Sequence, residues 1–460
     1  KQRGGGDLRV ELALAGAQAE AAADGARLVL DGSGRRLAYN RLTVTDAAGK
    51  ILDARIEVPD ATRLAVIVND AGAVYPVRID PTFSDDDWSA LGSGLDGFGV
   101  SALAVIGADL YVGGVIFLPG DYHTYFIVKW DGSGWSPLVG DVHKGEEGMD
   151  QPVAVLAVMG TNLYAGGYFT TVGGVNANYI AKWDGSAWSA LGGGMDQPVF
   201  ALAVMGTDLY AGGGFTTAGG VSANNIAKWD GNAWSALGSG LNSEGSHYVQ
   251  ALAVMGPDLY AGGWFTTAGD TDADNIAKWD GDEWSALGAG VNNGVNALVV
   301  MGTDLYAGGS FTTAGDTNAN FIAKWGGSEW SALGSGVDCC LVSALAVMGT
   351  DLYVGGDFWT AGGVSANRIA KWDGNSWSAL GSGVNEAVYV LAVMGTDLYV
   401  GGIFSIAGTH VSGPIARAHI GAADILILGA NYAAIANGEA ASEEKGTDFG
   451  SIPWGQAASN

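Results

Sequence analysis

One unit is written seven times in this chain. The string W-S-x-L begins at Trp88, Trp135, Trp188, Trp234, Trp284, Trp330 and Trp377, at intervals of 46 to 53 residues. A second string, [DN]-L-Y-[AV]-G-G, sets Tyr111, Tyr164, Tyr210, Tyr260, Tyr306, Tyr353 and Tyr399 in register with it. A third, I-[AV]-K-W, ends at Trp130, Trp183, Trp229, Trp279, Trp325 and Trp372 and decays to Ile415-Ala416-Arg417-Ala418 in its last copy. Self-similarity at this period marks solenoids, propellers or arrays, and it outranks any local signal.

Each unit holds four short apolar runs: A-L-A-V-M-G, L-Y-A-G-G-x-F, N-x-I-A-K-W and W-S-A-L-G. G-T-D, T-A-G-G and D-G-S separate them, and these are turn sequences. Runs of four to seven residues bounded by Gly and Asp are strands and not helices. The glycine content, 76 of 460 residues, follows from this punctuation. Four strands in such a unit make one blade of a β-propeller.

Seven copies of each strand predict an all-β chain built on a seven-bladed propeller with four-stranded blades. The repeat opens on a lone fourth strand at Trp88 and closes on a third strand near Ala418. The N-terminal strand is therefore expected to complete the last blade, leaving no unpaired seam. Residues 84–421 form the propeller in this reading. Residues 1–83 read as a small sandwich-like β-domain, with strands at 8–14, 27–30, 42–45, 51–58, 64–68 and 75–79. Residues 422–460 read as an extended β-tail in which 425–428 is a strand.

The net charge of -27 lies entirely beyond residue 83, because residues 1–83 carry 11 basic and 11 acidic side chains. An acidic body excludes nucleic acid and anionic membrane as partners, since both require a basic face. It suits solubility, cation binding or a basic partner. No run of about 18 apolar residues exists, so no membrane-spanning helix is expected. The cysteines, Cys339 and Cys340, are adjacent and cannot staple the fold. They read as a reduced pair, with a strained vicinal disulfide as the alternative in an exported chain. Lys1 to Gly6 lacks an apolar signal core, which a mature exported protein also lacks.

Repetition gives most chemistry-bearing residues a structural role. Lys129, Lys182, Lys228, Lys278, Lys324, Lys371 and Arg417 share one position, and Asp109, Asn162, Asp208, Asp258, Asp304, Asp351 and Asp397 share another. They are expected to pair or to satisfy turns. The 13 Trp of the two repeat positions are expected to pack blades. Trp264 and Trp359 break the pattern after the second strand and are candidate contact residues for a ligand. Asp270-Thr-Asp272-Ala-Asp274 has the alternate-oxygen spacing of calcium loops. It lacks the glycine and the bidentate Glu of an EF-hand, so calcium is a candidate ligand there against a simple solvated loop.

The units resemble the repeats of kelch-like and galactose-oxidase-like propellers, and most of all the tandem G-G-x-F-T … W-D-G … W-S-x-L units of secreted bacterial proteins. The A-V-Y-P-V-R-I-D-P segment ending at Pro81 is similar to segments that close β-domains in secreted surface proteins. Ile435-Ala-Asn-Gly438 and Gly446-Thr-Asp-Phe-Gly450 resemble the opening of Hydin-type immunoglobulin-like (choice-of-anchor) modules. The resemblance implies export and a cell-surface or extracellular location, but propellers host unrelated activities. The parts of an oxidase or sialidase are missing: the five His are scattered, and only Arg368 and Arg417 lie in the propeller. The expected function is thus non-enzymatic: a scaffold for surface assembly or adhesion, whose tail reads either as a truncated segment or one lying on its own propeller, or as a strand donated to a neighbouring subunit, which would polymerise the chain. The alternative is a glycan- or protein-binding module on the irregular loops 117–124, 142–151 and 243–249.

Overall fold

The computed structural model describes residues 7–14, 17–22, 25–30, 36–46, 48, 50–74, 77–82, 87–118, 123–138, 148–242, 247–420, 425–427, 434–435 and 439–440. They form two compact units, 89–418 and 1–88 with 419–460. No described helix is long and apolar enough to cross a membrane.

Among the described residues, seven four-stranded antiparallel sheets make up the repeat. Blade 3 is representative: Val199–Met205 pairs with Asp208–Gly213, which pairs with Ile226–Trp229, which pairs with Trp234–Ala236. The inner strands touch in succession around the ring, and Val388–Met394 of blade 7 returns to Asp96–Ile106 of blade 1. The outer strand of blade 7 is Trp88–Ser89. Ser89 Oγ accepts from Arg417 Nε at 3.1 Å. The expected closure by an N-terminal strand is therefore realised, and the ring has no exposed seam.

Two features of the unit hold blade to blade. The first glycine of each pair lies under a valine of the next blade. A Cβ on Gly212 would stand 2.5 Å from Val249 Cγ1, and one on Gly262 equally close to Val295 Cγ1. The same contact joins Gly401 to Val100 across the closure. The second feature is the Trp of the fourth strand. Trp284 stacks at 5.3 Å on Trp279 of its own blade. Its indole N–H donates at 2.9 Å to Leu237 O of the preceding blade. Trp234, Trp330 and Trp377 repeat that bond, and Trp135 makes it to Leu91 O across the closure. Trp188 is the exception: among the described residues its buried indole nitrogen has no partner. The preceding outer strand there is Trp135–Pro137, where proline replaces the usual alanine.

The repeated charges pair as expected. Lys129, Lys228, Lys278, Lys324 and Lys371 lie 3.0–3.3 Å from Asp109, Asp208, Asp258, Asp304 and Asp351, and Arg417 lies 3.6 Å from Asp397. Lys182 faces an Asn-bearing strand instead.

The D-G-S turns place the Asp carboxylate as a cap. Asp131 Oδ1 accepts from Ser133 Oγ at 2.8 Å, from Ser133 N at 2.9 Å and from Gly134 N at 2.8 Å. These bonds, led by the Ser133 hydroxyl, hold the Asp131 carboxyl at about 2 instead of the ordinary 3.8. In Asp184 the Ala187 N–H leads, with the same outcome of about 2. A carboxyl with a lowered folded pKa stabilises the fold above its unfolded value and loses that contribution as pH falls through the folded one. The midpoint of urea unfolding is therefore expected to hold steady down to about pH 4 and to drop between about pH 4 and 2. Asp131→Asn and Asp184→Asn together should shallow that drop; an unchanged profile would show that the caps contribute nothing.

Among the described residues the other unit holds two main sheets and a two-stranded hairpin of Ala434–Ile435 and Glu439–Ala440. Leu8–Ala13, Arg63–Val68 and Ala54–Asp60 form one; Ala17–Ala22, Gly25–Leu30, Arg36–Asp46 and Val77–Thr82 belong to the other. Leu8, Val10, Leu28, Val44, Leu64 and Val66 fill the space between. The tail strand Ile425–Ile427 adds antiparallel to Val77–Thr82, with Ile425 opposite Ile79. The tail thus extends a sheet of its own chain's N-terminal unit. The stretch 446–450, on which the Hydin-type likeness mainly rests, lies outside the described residues.

Candidate functional site

The candidate site grows from one end of the inner strand pair. In each blade the residue after the paired glycines sits at the end of the second strand. That position holds Tyr168, Gly214, Trp264, Ser310, Asp357 and Ile403 in blades 2 to 7. Two of the six are aromatic and solvent-exposed, Tyr168 at 47% and Trp264 at 36%. The start of the first strand lies beside this position, and Tyr248 pairs directly with Trp264. The residue after the inner-strand valine is Phe200 in blade 3.

These positions converge into an arc of four rings across blades 2, 3 and 4. Tyr168 lies 5.6 Å from Phe200, Phe200 lies 5.7 Å from Tyr248, and Tyr248 lies 6.5 Å from Trp264. The rings are tilted or edge-on to one another, at 41° to 75°. Such contacts hold side chains in place while leaving ring faces available. One glycine clears space for the arc: a Cβ on Gly294 of blade 5 would collide with the Trp264 indole, whereas one on Gly214 would meet Phe200 only at an ordinary 3.9 Å. Burial pushes the Tyr248 hydroxyl pKa up, and the neighbouring Tyr168 adds to the rise. A hydrogen bond from Trp264 opposes it.

Trp359 occupies a different repeat position, two residues beyond the second glycine's successor. The corresponding Thr170 and Thr216 donate their hydroxyls to Asp150 and Asp196, each at 2.6 Å. Trp359 keeps only the backbone part of that bond, from its N–H to Asp338 at 3.0 Å. Its ring is 53% exposed, with the Arg368 guanidinium 3.6 Å above its centroid. Arg368 also lies 3.6 Å from Asp357. The two tryptophans singled out in the sequence therefore belong to separate blades and environments. Trp264 ends a continuous arc, while Trp359 is a lone ring covered on one face by Arg368.

Asp270, Asp272 and Asp274 lie on and after the small hairpin of Thr267–Ala268 and Thr271–Asp272. Among the described residues no three His, Cys, Asp or Glu side chains gather as metal ligands would. Asp274 also occupies a latch position. Its carbonyl accepts from Val291 N at 3.0 Å. The corresponding Asn224, Asn320 and Asn367 add a side-chain bond to Ser239 O, Ser335 O and Ser382 O, which an aspartate cannot donate.

Cys339 and Cys340 are free thiols. The hydrogen bond with Cys340 is the main force pushing the Cys339 thiol up to about 12, and burial adds to it. Cys339 is thus a poor thiolate and a poor nucleophile. Of the irregular loops, 119–122, 142–147 and 243–246 lie outside the described residues.

No known family model matches the chain, and no curated protein matches it. Solved structures do. The computationally designed Ika8 protein aligns with 17% identity and a TM-score of 0.41, covering 72% of this chain and 99% of that one. The WD40 β-propeller domain of Doa1 aligns at 12% identity and TM-score 0.43, over 71% of this chain and 95% of that domain. YCF48 from Cyanidioschyzon merolae aligns at 13% identity and TM-score 0.42, over 72% and 98%. The propeller assignment itself stands on the seven sheets and their closure.

Proposed function

We propose that this protein is a non-enzymatic extracellular scaffold, serving surface assembly or adhesion, whose propeller holds a ligand on the aromatic arc. The arc is the observation that carries this reading. Blades built from one repeated unit differ little in their packing residues, so rings that join across three blades, where the Tyr168 and Trp264 position holds Gly, Ser, Asp or Ile in blades 3, 5, 6 and 7, call for a separate explanation. Exposed aromatic anchors are the usual currency of recognition. The resolved acid shifts in the propeller run downward and come from turn hydrogen bonds, unlike the raised carboxyls of acid-base catalysts. Export is supported by the likeness of the units to secreted repeats.

Stability separates a binding arc from a packing one. Trp264→Ala and Tyr168→Ala are each expected to cost clearly less than the roughly 3–5 kcal/mol of emptying a buried Trp site, because both rings are more than a third exposed. A loss comparable to that of a buried Trp would make the arc a packing device and overturn the reading.

Assembly by strand exchange is a second reading, favoured by the pairing of Ile425–Ile427 with Val77–Thr82. The same edge would accept the strand of another copy, and such a contact need not close. Paired residues on antiparallel strands lie within disulfide range. In a Cys339→Ser, Cys340→Ser background, Ile79→Cys with Ile425→Cys should oxidise to a monomeric species on a non-reducing gel. A ladder of covalent multimers would instead establish donation between chains.

A further inference from the structure

The arc defines its ligand by what surrounds it, and this inference rests on the binding role just proposed. The segments that carry and flank it, 150–155, 166–169, 196–201, 212–215, 247–251, 262–265 and 292–297, contain no Lys or Arg, and their one basic side chain is His247, directly before Tyr248. The nearest repeated cations sit at the opposite end of the second strand, as Lys228 does beside Asp208. At about 3.3 Å per residue that is roughly 17 Å away. Lys228 and Lys278 are also paired with Asp208 and Asp258, while Lys182 faces a strand that carries Asn162 instead. The two acids in these segments are spent internally: Asp150 accepts from Thr170 and Thr171, and Asp196 from Thr216 and Thr217. What remains beside the rings is amide: Gln151 and Gln197 are exposed, and Gln250 and Asn296 are half-buried.

We propose that the arc binds a neutral polysaccharide, laid across blades 2 to 4 with its sugar rings against Tyr168, Phe200, Tyr248 and Trp264. The C–H faces of a pyranose are apolar and its edge carries hydroxyls. Aromatic faces with flanking amides match both halves. Uronates, sulfated chains and nucleic acids meet no Lys or Arg here, and the acidic body repels them. A length of three ring-to-ring steps fits an extended chain better than a monosaccharide. A proline-rich peptide is the competing occupant, since such segments also dock on aromatic surfaces.

The test is native electrophoresis of the full chain through gels containing soluble starch, galactomannan, mixed-linkage β-glucan, polygalacturonate or heparin. Retardation by at least one neutral polysaccharide and by neither anionic one is expected. Trp264→Ala and Tyr168→Ala should each weaken it by about tenfold or more, the loss of an anchor worth at least 1.4 kcal/mol. Retardation by the anionic chains alone, by no polysaccharide, or equally in the variants would overturn the proposal. Binding of poly-L-proline that is lost in the same variants would overturn the glycan assignment and leave the binding role standing.

Discussion

Trp284→Ala is expected to destabilise the propeller by about 4 kcal/mol, in the upper part of the range for emptying a buried Trp site. The side chain is 6% exposed and stacked on Trp279, and its N–H closes the contact with the preceding blade through Leu237 O. Truncation removes the apolar contact and one of two donors to Leu237 O, which keeps the Gly240 N–H at 3.1 Å, so the emptied site carries most of the cost. Trp188 supplies the internal control. It is equally buried at 7% and stacked at 5.5 Å on Trp183, but its indole nitrogen has no acceptor. Replacing each by Phe should therefore cost about 1 kcal/mol more at Trp284 than at Trp188, the net worth of one hydrogen bond. Urea unfolding followed by circular dichroism measures both, avoiding the fluorescence of the other tryptophans. Equal losses for the two Phe variants would show that the inter-blade bond is energetically silent.

Gly309→Ala is expected to cost about 3 kcal/mol, although it adds a single methyl group. Its Cβ would meet the carbonyl oxygen of Gly294 and stand 3.0 Å from Val295 Cα. Both are backbone atoms of the paired strand, at the point where its register shifts between Val295 and Ala297. Backbone cannot turn aside as a side chain can, so the strand must move. Gly302 gives the contrast. It has a positive φ of 64° in the turn between the first two strands, with nothing within 4 Å of an added Cβ. Gly302→Asn should cost well under 1 kcal/mol, because asparagine tolerates the left-handed region. Similar losses at the two positions would mean that the close approach at Gly309 relaxes without penalty.

That contrast also marks how far the sequence could be read. The period, the four strands of each unit, their turns and the Lys–Asp pairs were all legible, because each depends on residues a few positions apart. The lone W-S-A-L at Trp88 even announced the closing strand. The two glycines of L-Y-A-G-G look alike in the sequence, yet one makes room for a valine of the next blade and the other for a bulge in its own sheet. Neither partner is local. The Trp284 bond to Leu237 was hidden for the same reason, since donor and acceptor lie in different units.

The candidate site was half legible. Trp264 stood out because it interrupts a repeat position, and Tyr168 occupies the same position and could have been found by the same comparison. Phe200 and Tyr248 carry no such mark, because one follows the inner-strand valine of blade 3 and the other precedes that of blade 4. Trp359 was equally conspicuous in the sequence, but its face is covered by Arg368 and no second ring extends it. The sequence alone determined the strand content, the number of blades and the order in which they are laid down. Periodicity and turn chemistry act over a few residues and repeat with the unit. Only the tertiary structure decided which side chains share a surface. Strand ends about 50 residues apart become neighbours when the blades pack side by side, and that contact is set by ring closure instead of by any local preference.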